Sequence, residues 1–246
     1  MIVAHRGASK DAPENTLAAF ELAWQQQADA IEGDFQLTKD GFIVCFHDTN
    51  TERITNINSD IAQSTLAALR KLDVGSHHSR CYQNCLMPTL AEVLRTIPVS
   101  KKIYIEIKSG LEIIPTLLEE VKKSHLTAQQ VVFLCFSIEV VQALKSQASH
   151  FHVFWLCDVI LNAQGELSPS LADTLQQLQR CQADGFSSNC EYINEAFVTG
   201  IINNGYEYHV WTIDDLQTAQ RFIRWGAKSI TTNVPGYLRN NTNSDK

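Results

Sequence analysis

The chain carries no glycine-rich phosphate fingerprint after its first apolar segment, no basic tract and no Cys-x-x-Cys pair. It also has no apolar run approaching the ~20 residues needed to cross a bilayer. Each absence excludes something. Without the fingerprint, an open doubly wound nucleotide-binding sheet loses its main signature. Without a basic tract, and at a net charge of −7 and a pI of about 5.6, nothing supports nucleic-acid binding or a polybasic membrane anchor. No aromatic stripe or amphipathic membrane helix stands out either. Seven cysteines (45, 81, 85, 135, 157, 181 and 190) cannot all pair, and several sit inside apolar runs. They read as buried free thiols in a reducing compartment. Cys81 and Cys85, close to His77 and His78, offer a loop metal site only at a spacing that matches no usual zinc pattern. The start of the chain shows no signal-peptide pattern, so the expected location is cytoplasmic.

What is present is an alternation of strand-like and helix-like segments over 246 residues, 44% of them hydrophobic, enough for a sizeable core. Strands are expected at 2–5, 30–37, 102–109, 131–137, 152–158, 183–189, 206–213 and 227–233. Helical patterns separate them, the first from about Glu14 to Gln27 and capped by Asn15 or a neighbour. The later strands are near-continuous apolar runs, as parallel strands covered on both faces should be. Eight such units predict an α/β fold, a (β/α)₈ TIM barrel over residues 1–240, followed by a polar tail, 241–246. Thr38-Lys39-Asp40-Gly41 is a hairpin signal joining 30–37 to a further strand at 42–47. That strand and the irregular 48–90 segment form a small insertion after the second barrel strand, placed to act as a lid or cap.

The polar residues collect where a barrel does its chemistry, at the C-terminal ends of strands. His5 and Arg6 end the first strand, Glu32 and Asp34 lie late in the second, Glu106 and Lys108 late in the third, and Trp211 ends the seventh. Residues two apart in a strand share a face. Glu32 pairs with Asp34 in direction, and Glu106 with Lys108, while Ile31, Ile105 and Ile107 face the helices. Taken singly, a strand-end histidine is as readily a surface residue, a Glu-x-Asp pair a solvated face, and Glu106 with Lys108 a structural ion pair. Together they place several charges at one end of consecutive strands, which burial alone does not explain. Three converging carboxylates repel one another unless a divalent cation lies between them, and an all-oxygen set suits Mg²⁺, Ca²⁺ or Mn²⁺. Two imidazoles, His5 and His47, complete a parts list for metal-assisted cleavage of a phosphate ester. His125, His150, His152 and His209 read as structural or surface residues.

At these positions the chain resembles the glycerophosphodiester phosphodiesterase family. His5-Arg6-Gly7 with Pro13-Glu14-Asn15-Thr16 looks like the family's first signature. The stretch Ala28–Gly41 with Phe46-His47-Asp48 looks like its second. Met87-Pro88-Thr89-Leu90, Ile105-Glu106-Ile107-Lys108 and Val210-Trp211-Thr212 match later motifs. The resemblance implies a barrel enzyme that hydrolyses deacylated phospholipids, small-molecule substrates, to sn-glycerol 3-phosphate and an alcohol. It further implies that Glu32, Asp34 and Glu106 are metal ligands and that His5 and His47 are general acid and base. Arg6 and Lys108 would hold phosphate oxygens, Trp211 would contact substrate, and Glu14 and Asn15 would orient the site. Three departures stand out: Gly33 where a bulky residue is usual, Cys135-Phe136 where Ser-Phe is usual, and Thr232-Asn233 where Thr-Asp is common. The rival readings are a barrel phospholipase D-type enzyme acting on lysophospholipids, which needs an apolar entrance, and a non-catalytic barrel that binds a phosphorylated ligand.

Overall fold

The computed structural model describes residues 1–242. Eight strands form the barrel: β1 (Ile2–Ala4), β2 (Ala30–Leu37), β3 (Lys102–Ile107), β4 (Val131–Cys135), β5 (His152–Cys157), β6 (Gly185–Asn189), β7 (Glu207–Trp211) and β8 (Ser229–Thr232). Every neighbouring pair runs parallel. Closure is explicit, because β1 pairs with β8 on one side and with β2 on the other. The doubly wound alternative has no such seam.

Alternation along the strands sorts the core into two layers. Val132, Leu134, Phe154 and Leu156 point into the barrel with Val3, Ala30 and Tyr104. Val131, Phe133, Cys135, Ile31, Ile105 and Ile107 point outward to the helices. Burying a side chain of the Val, Leu, Ile or Phe kind contributes about 1.5–3 kcal/mol, so these layers carry the fold. The helices begin where the sequence supplies caps: Thr16, Ser137, Ser170, Asn194 and Asp215 each accept an N–H of the first turn.

The first helix is shorter than its pattern suggested, Leu17–Gln25, and Thr16, the neighbour of Asn15, is the cap. The expected hairpin is present, with Phe35 opposite Cys45 and Leu37 opposite Ile43. The segment that follows, 48–90, wraps a small core of its own, including Phe46, Ile54, Ile61, Leu69 and Met87. It leans on the loop after β1, where His78 Nε2 lies 3.3 Å from the Lys10 carbonyl and the Tyr82 hydroxyl donates to that of Asp11 at 3.2 Å. A two-stranded hairpin, Ile160–Leu161 with Leu167–Ser168, follows β5 and was not anticipated. The last helix, Pro235–Thr242, extends into the expected tail, taking in residues 241 and 242. The remainder of that tail, 243–246, lies outside the described residues.

Candidate active site

The turn after β1 sets the geometry. Arg6 and Gly7 both adopt positive φ, 54° and 84°. A Cβ on Gly7 would come within 2.6 Å of Ala19, so only glycine lets the loop lie against the first helix. The turn aims the Arg6 backbone N–H at Glu32 Oε2, 2.9 Å away. Asn15, buried and also at positive φ (56°), reaches under the site instead of capping the helix. Its amide donates to Asp34 Oδ2 at 2.8 Å, and its carbonyl accepts the Asp34 N–H at 3.1 Å.

Glu32, Asp34 and Glu106 converge, each offering an oxygen within 4.8 Å of the others. Asp34 and Glu106 are register partners in adjoining strands. Gly33 lies between the two acids of β2, where a Cβ would meet Phe20 at 3.1 Å and the Cys45 sulfur at 3.2 Å. The missing side chain therefore makes room for outer packing and leaves both acids pointing inward. Burial pushes the Glu32 carboxyl well above the usual range, and the neighbouring Asp34 and Glu106 charges push it further. Glu106 is raised by burial and by Asp34. Glu32 Oε1 is buried with no hydrogen-bond partner, although a buried carboxylate oxygen left unpaired is costly. A divalent cation fits this donor set: three carboxylates, one with an orphaned oxygen, all hard ligands. Among the described residues this trio is the one His/Cys/Asp/Glu group placed to hold a metal, so His77, His78, Cys81 and Cys85 form no second site there.

Two cations face the acids. Lys108 Nζ lies 2.9 Å from Glu106 Oε1 and 3.7 Å from Asp34 Oδ1. Arg6 Nε lies 3.2 Å from Asp34 Oδ2, and its Nη1 lies 3.0 Å from Glu14 Oε1.

Both imidazoles are oriented through Nδ1. His5 Nδ1 is 2.8 Å from Asn233 Oδ1. The Asn233 amide N–H₂ donates to Asp214 at 2.8 Å, so its oxygen must face His5, which then donates from Nδ1 and keeps Nε2 as an acceptor. Burial lowers the His5 pKa, and the adjacent Arg6 charge lowers it further. His47 Nδ1 donates to Asp48 Oδ1 at 2.7 Å. Asp48 is gripped in turn by Arg53, which also holds Glu14. Against the effect of burial, Arg53 takes the Glu14 and Asp48 carboxyls down to about 2, with help from Arg6 at Glu14 and from His47 at Asp48.

His5, Arg6, Glu32, His47, Glu106, Lys108 and Trp211, all expected at the site, line one cavity of about 270 Å³. Asp34, Glu14 and Asn15 sit behind the lining and hold it through the bonds above. Phe136, Leu156 and Asp158 line the cavity too, as do the buried Tyr104, Ser187, His209 and Thr231. His209, read as structural or surface from sequence, is fully buried; its Nδ1 is 2.7 Å from Ser229 Oγ and its ring stacks on Phe154. Arg53, Asn233 and Asp158 were not singled out as site residues. His209 and Asp158 carried a signal all the same. His209 is two residues before Trp211 in one strand, and Asp158 directly follows β5, where other strands keep their polar groups.

A closed parallel barrel with carboxylates, two cations and two imidazoles at the C-terminal mouth has the build of a barrel-type phosphodiesterase. Residues 5–237 match the Glycerophosphoryl diester phosphodiesterase family. The chain belongs to that family and is an enzyme of the glycerophosphodiester phosphodiesterase class. It is 32% identical to a glycerophosphodiester phosphodiesterase of Caldanaerobacter subterraneus subsp. tengcongensis, over 98% of this chain and 96% of that one. It is 34% identical to a putative glycerophosphodiester phosphodiesterase of Bacillus subtilis, over 96% of each. Its fold matches that of an Oleispira antarctica phosphodiesterase, solved in complex with the product sn-glycerol-3-phosphate, at a TM-score of 0.88 and 26% identity, covering 98% and 95% of the two chains. No helix among the described residues is long and apolar enough to cross a membrane.

Proposed function

We propose that this enzyme hydrolyses glycerophosphodiesters to sn-glycerol 3-phosphate and an alcohol, with residues 1–240 acting as one catalytic unit. Glu32, Asp34 and Glu106 hold a divalent cation, Mg²⁺, Ca²⁺ or Mn²⁺, and His5 and His47 move the protons. The observation that carries this reading is the carboxylate trio, Glu32 and Asp34 buried and Glu106 partly so, with an unpartnered Glu32 oxygen, beside a cavity lined by two cations and two oriented imidazoles. When bound, the cation supplies Lewis-acid stabilisation of charge on the phosphate oxygens.

The chain's own residues do the rest. Arg6 and Lys108 hold the phosphate and offset the charge that builds on its oxygens. His5 is kept neutral by burial and by Arg6, and its Nε2 is free to accept. It acts as the base, taking the proton of the attacking hydroxyl, whether the glycerol 2-hydroxyl or water. The bond from phosphorus to the head-group oxygen breaks, and His47, held through Nδ1 by Asp48, donates its Nε2 proton to the leaving alkoxide. If the glycerol hydroxyl attacks, a cyclic phosphate forms, and water opens it with the two histidines exchanging roles. Asn15 and Glu14 keep Asp34 and Arg6 in register.

The test is release of glycerol 3-phosphate from glycerophosphocholine and glycerophosphoethanolamine by purified protein, first with EDTA and then with each cation restored. The expected result is release only with a cation, and none after alanine replaces His5 or His47. Release that persists in EDTA sinks the cation requirement, and activity that survives both replacements sinks the two-histidine scheme.

A further inference from the structure

Part of the cavity wall is built from Phe136, Trp211, Leu156 and Asp158, and Phe136 also borders an adjoining pocket beside Lys108. Phe136 is an exposed ring that meets Trp211 edge to face, with centroids 6.1 Å apart. Asp158 directly follows β5 and is exposed. The Lys and Arg side chains lining this cavity, Lys108 and Arg6, are both engaged by other carboxylates, Lys108 by Glu106 and Arg6 by Glu14. The cavity thus carries an acid with no cation of its own beside two aromatic rings.

We propose that Phe136, Trp211 and Asp158 form a subsite for a cationic head group, of the choline or ethanolamine kind. This rests on the hydrolase reading above and adds the substrate class to it. With the phosphate drawn to Arg6 and Lys108, the rest of the cavity wall meets the alcohols esterified to it, and Phe136, beside Lys108, is in reach of one of them. The glycerol arm is neutral, so a positive charge can enter only on the head-group alcohol. A carboxylate at that wall attracts such a charge and repels an anionic one. A quaternary ammonium donates no hydrogen bonds, and ring faces together with a carboxylate are the surroundings that stabilise it. A polyol head group would leave the two rings without a polar partner.

The experiment compares kcat/KM for glycerophosphocholine and glycerophosphoglycerol, using the cation-loaded enzyme, in the wild type, Asp158→Asn and Phe136→Leu. The wild type is expected to favour the choline ester, and the choline-to-glycerol ratio to fall roughly five-fold in each variant. Asp158 and Phe136 are exposed, so both variants are expected to fold; Phe136→Leu keeps the apolar volume and removes only the ring face. An unchanged ratio in Asp158→Asn overturns the assignment. So does an equal loss for both esters, because Asp158 would then grip the glycerol half they share. Failure of the folded wild type to hydrolyse either ester removes the hydrolase reading and the head-group assignment with it, whereas equal hydrolysis of both removes the assignment alone.

Discussion

Replacing Arg53 with methionine removes four hydrogen bonds, two to Asp48 at 2.6 and 3.2 Å and two to Glu14 at 2.7 and 3.1 Å. The methionine keeps most of the side-chain length, so what is lost is the charged fork that ties His47, through Asp48, to Arg6, through Glu14. Arg53 is 47% exposed, and solvent screens both pairs. Each is therefore worth about 0.5–1 kcal/mol despite its forked geometry, and the variant should be less stable by about 1–2 kcal/mol. The catalytic effect is expected to exceed the stability effect, because Asp48 left without its partner no longer fixes the His47 ring. Loss of such an orienting partner costs about 10- to 100-fold, here in kcat more than in KM. Lysine at 53 restores charge without the fork and should recover only part of this. The sign of the pH dependence follows from the depressed carboxyls. Glu14 and Asp48, at about 2 in the folded protein, contribute stability that is present above their unfolded values near 4 and is lost as pH falls towards 2. The gap in urea midpoint between wild type and Arg53→Met should be wide at pH 6, about half as wide at pH 3 and nearly closed below pH 2. A folded Arg53→Met enzyme whose kcat stays within about two-fold of wild type would refute the positioning role.

Glu32→Gln should abolish release of glycerol 3-phosphate yet raise the melting temperature of the cation-free protein at pH 8. It removes a buried charge whose ionisation Asp34 and Glu106 oppose. A rise of a few degrees corresponds to about 1 kcal/mol in a chain of this size, and it should shrink at lower pH as wild-type Glu32 takes up its proton; calorimetric scans at two pH values decide this. The acid limb of the kcat/KM profile should lie below the ordinary histidine value of about 6.5, because burial and Arg6 keep His5 neutral. Asn233→Asp puts a carboxylate against His5 Nδ1 and should move that limb upward by roughly one unit; a limb that stays in place would detach it from His5.

Much of this site is legible in the sequence because the barrel turns a one-dimensional rule into a three-dimensional one. Residues two apart share a face, so Glu32 with Asp34 and Glu106 with Lys108 announce the mouth, while Ile31, Ile105 and Ile107 announce the outer layer. Local signals did well for the hairpin at 38–41 and for the first helix, where the cap expected at Asn15 or a neighbour falls on Thr16. Asn15 adopts positive φ and spends its amide on Asp34, a tertiary demand that overrides a capping preference. Arg53 and Asn233 escaped for a different reason. Their partners, Glu14 and His5, lie 39 and 228 residues away in the chain, and only closure of β1 against β8 and the fold of the 48–90 segment bring them together.

The charge balance of the mouth leads to a last consequence. Arg53 is occupied by Glu14 and Asp48, Lys108 by Glu106, and Arg6 by Glu14 and Asp34, so each cation near the cavity already has a carboxylate. Under the proposed function, an incoming phosphate must compete with those carboxylates for Arg6 and Lys108. A divalent cation held by Glu32, Asp34 and Glu106, as proposed, would change the competition, because it would offset the charge that holds Lys108 and Arg6 back. Cation and phosphate should therefore bind with positive coupling, about 1–3 kcal/mol or 5- to 150-fold in affinity. Titration of the His47→Ala protein with sn-glycerol 3-phosphate, with and without Mg²⁺ or Ca²⁺, measures this by calorimetry. Linkage requires the phosphate to tighten the cation by the same factor. Equal phosphate affinity in EDTA and in saturating cation would mean that Arg6 and Lys108 are free for phosphate from the outset, contrary to the ion pairs that engage them here.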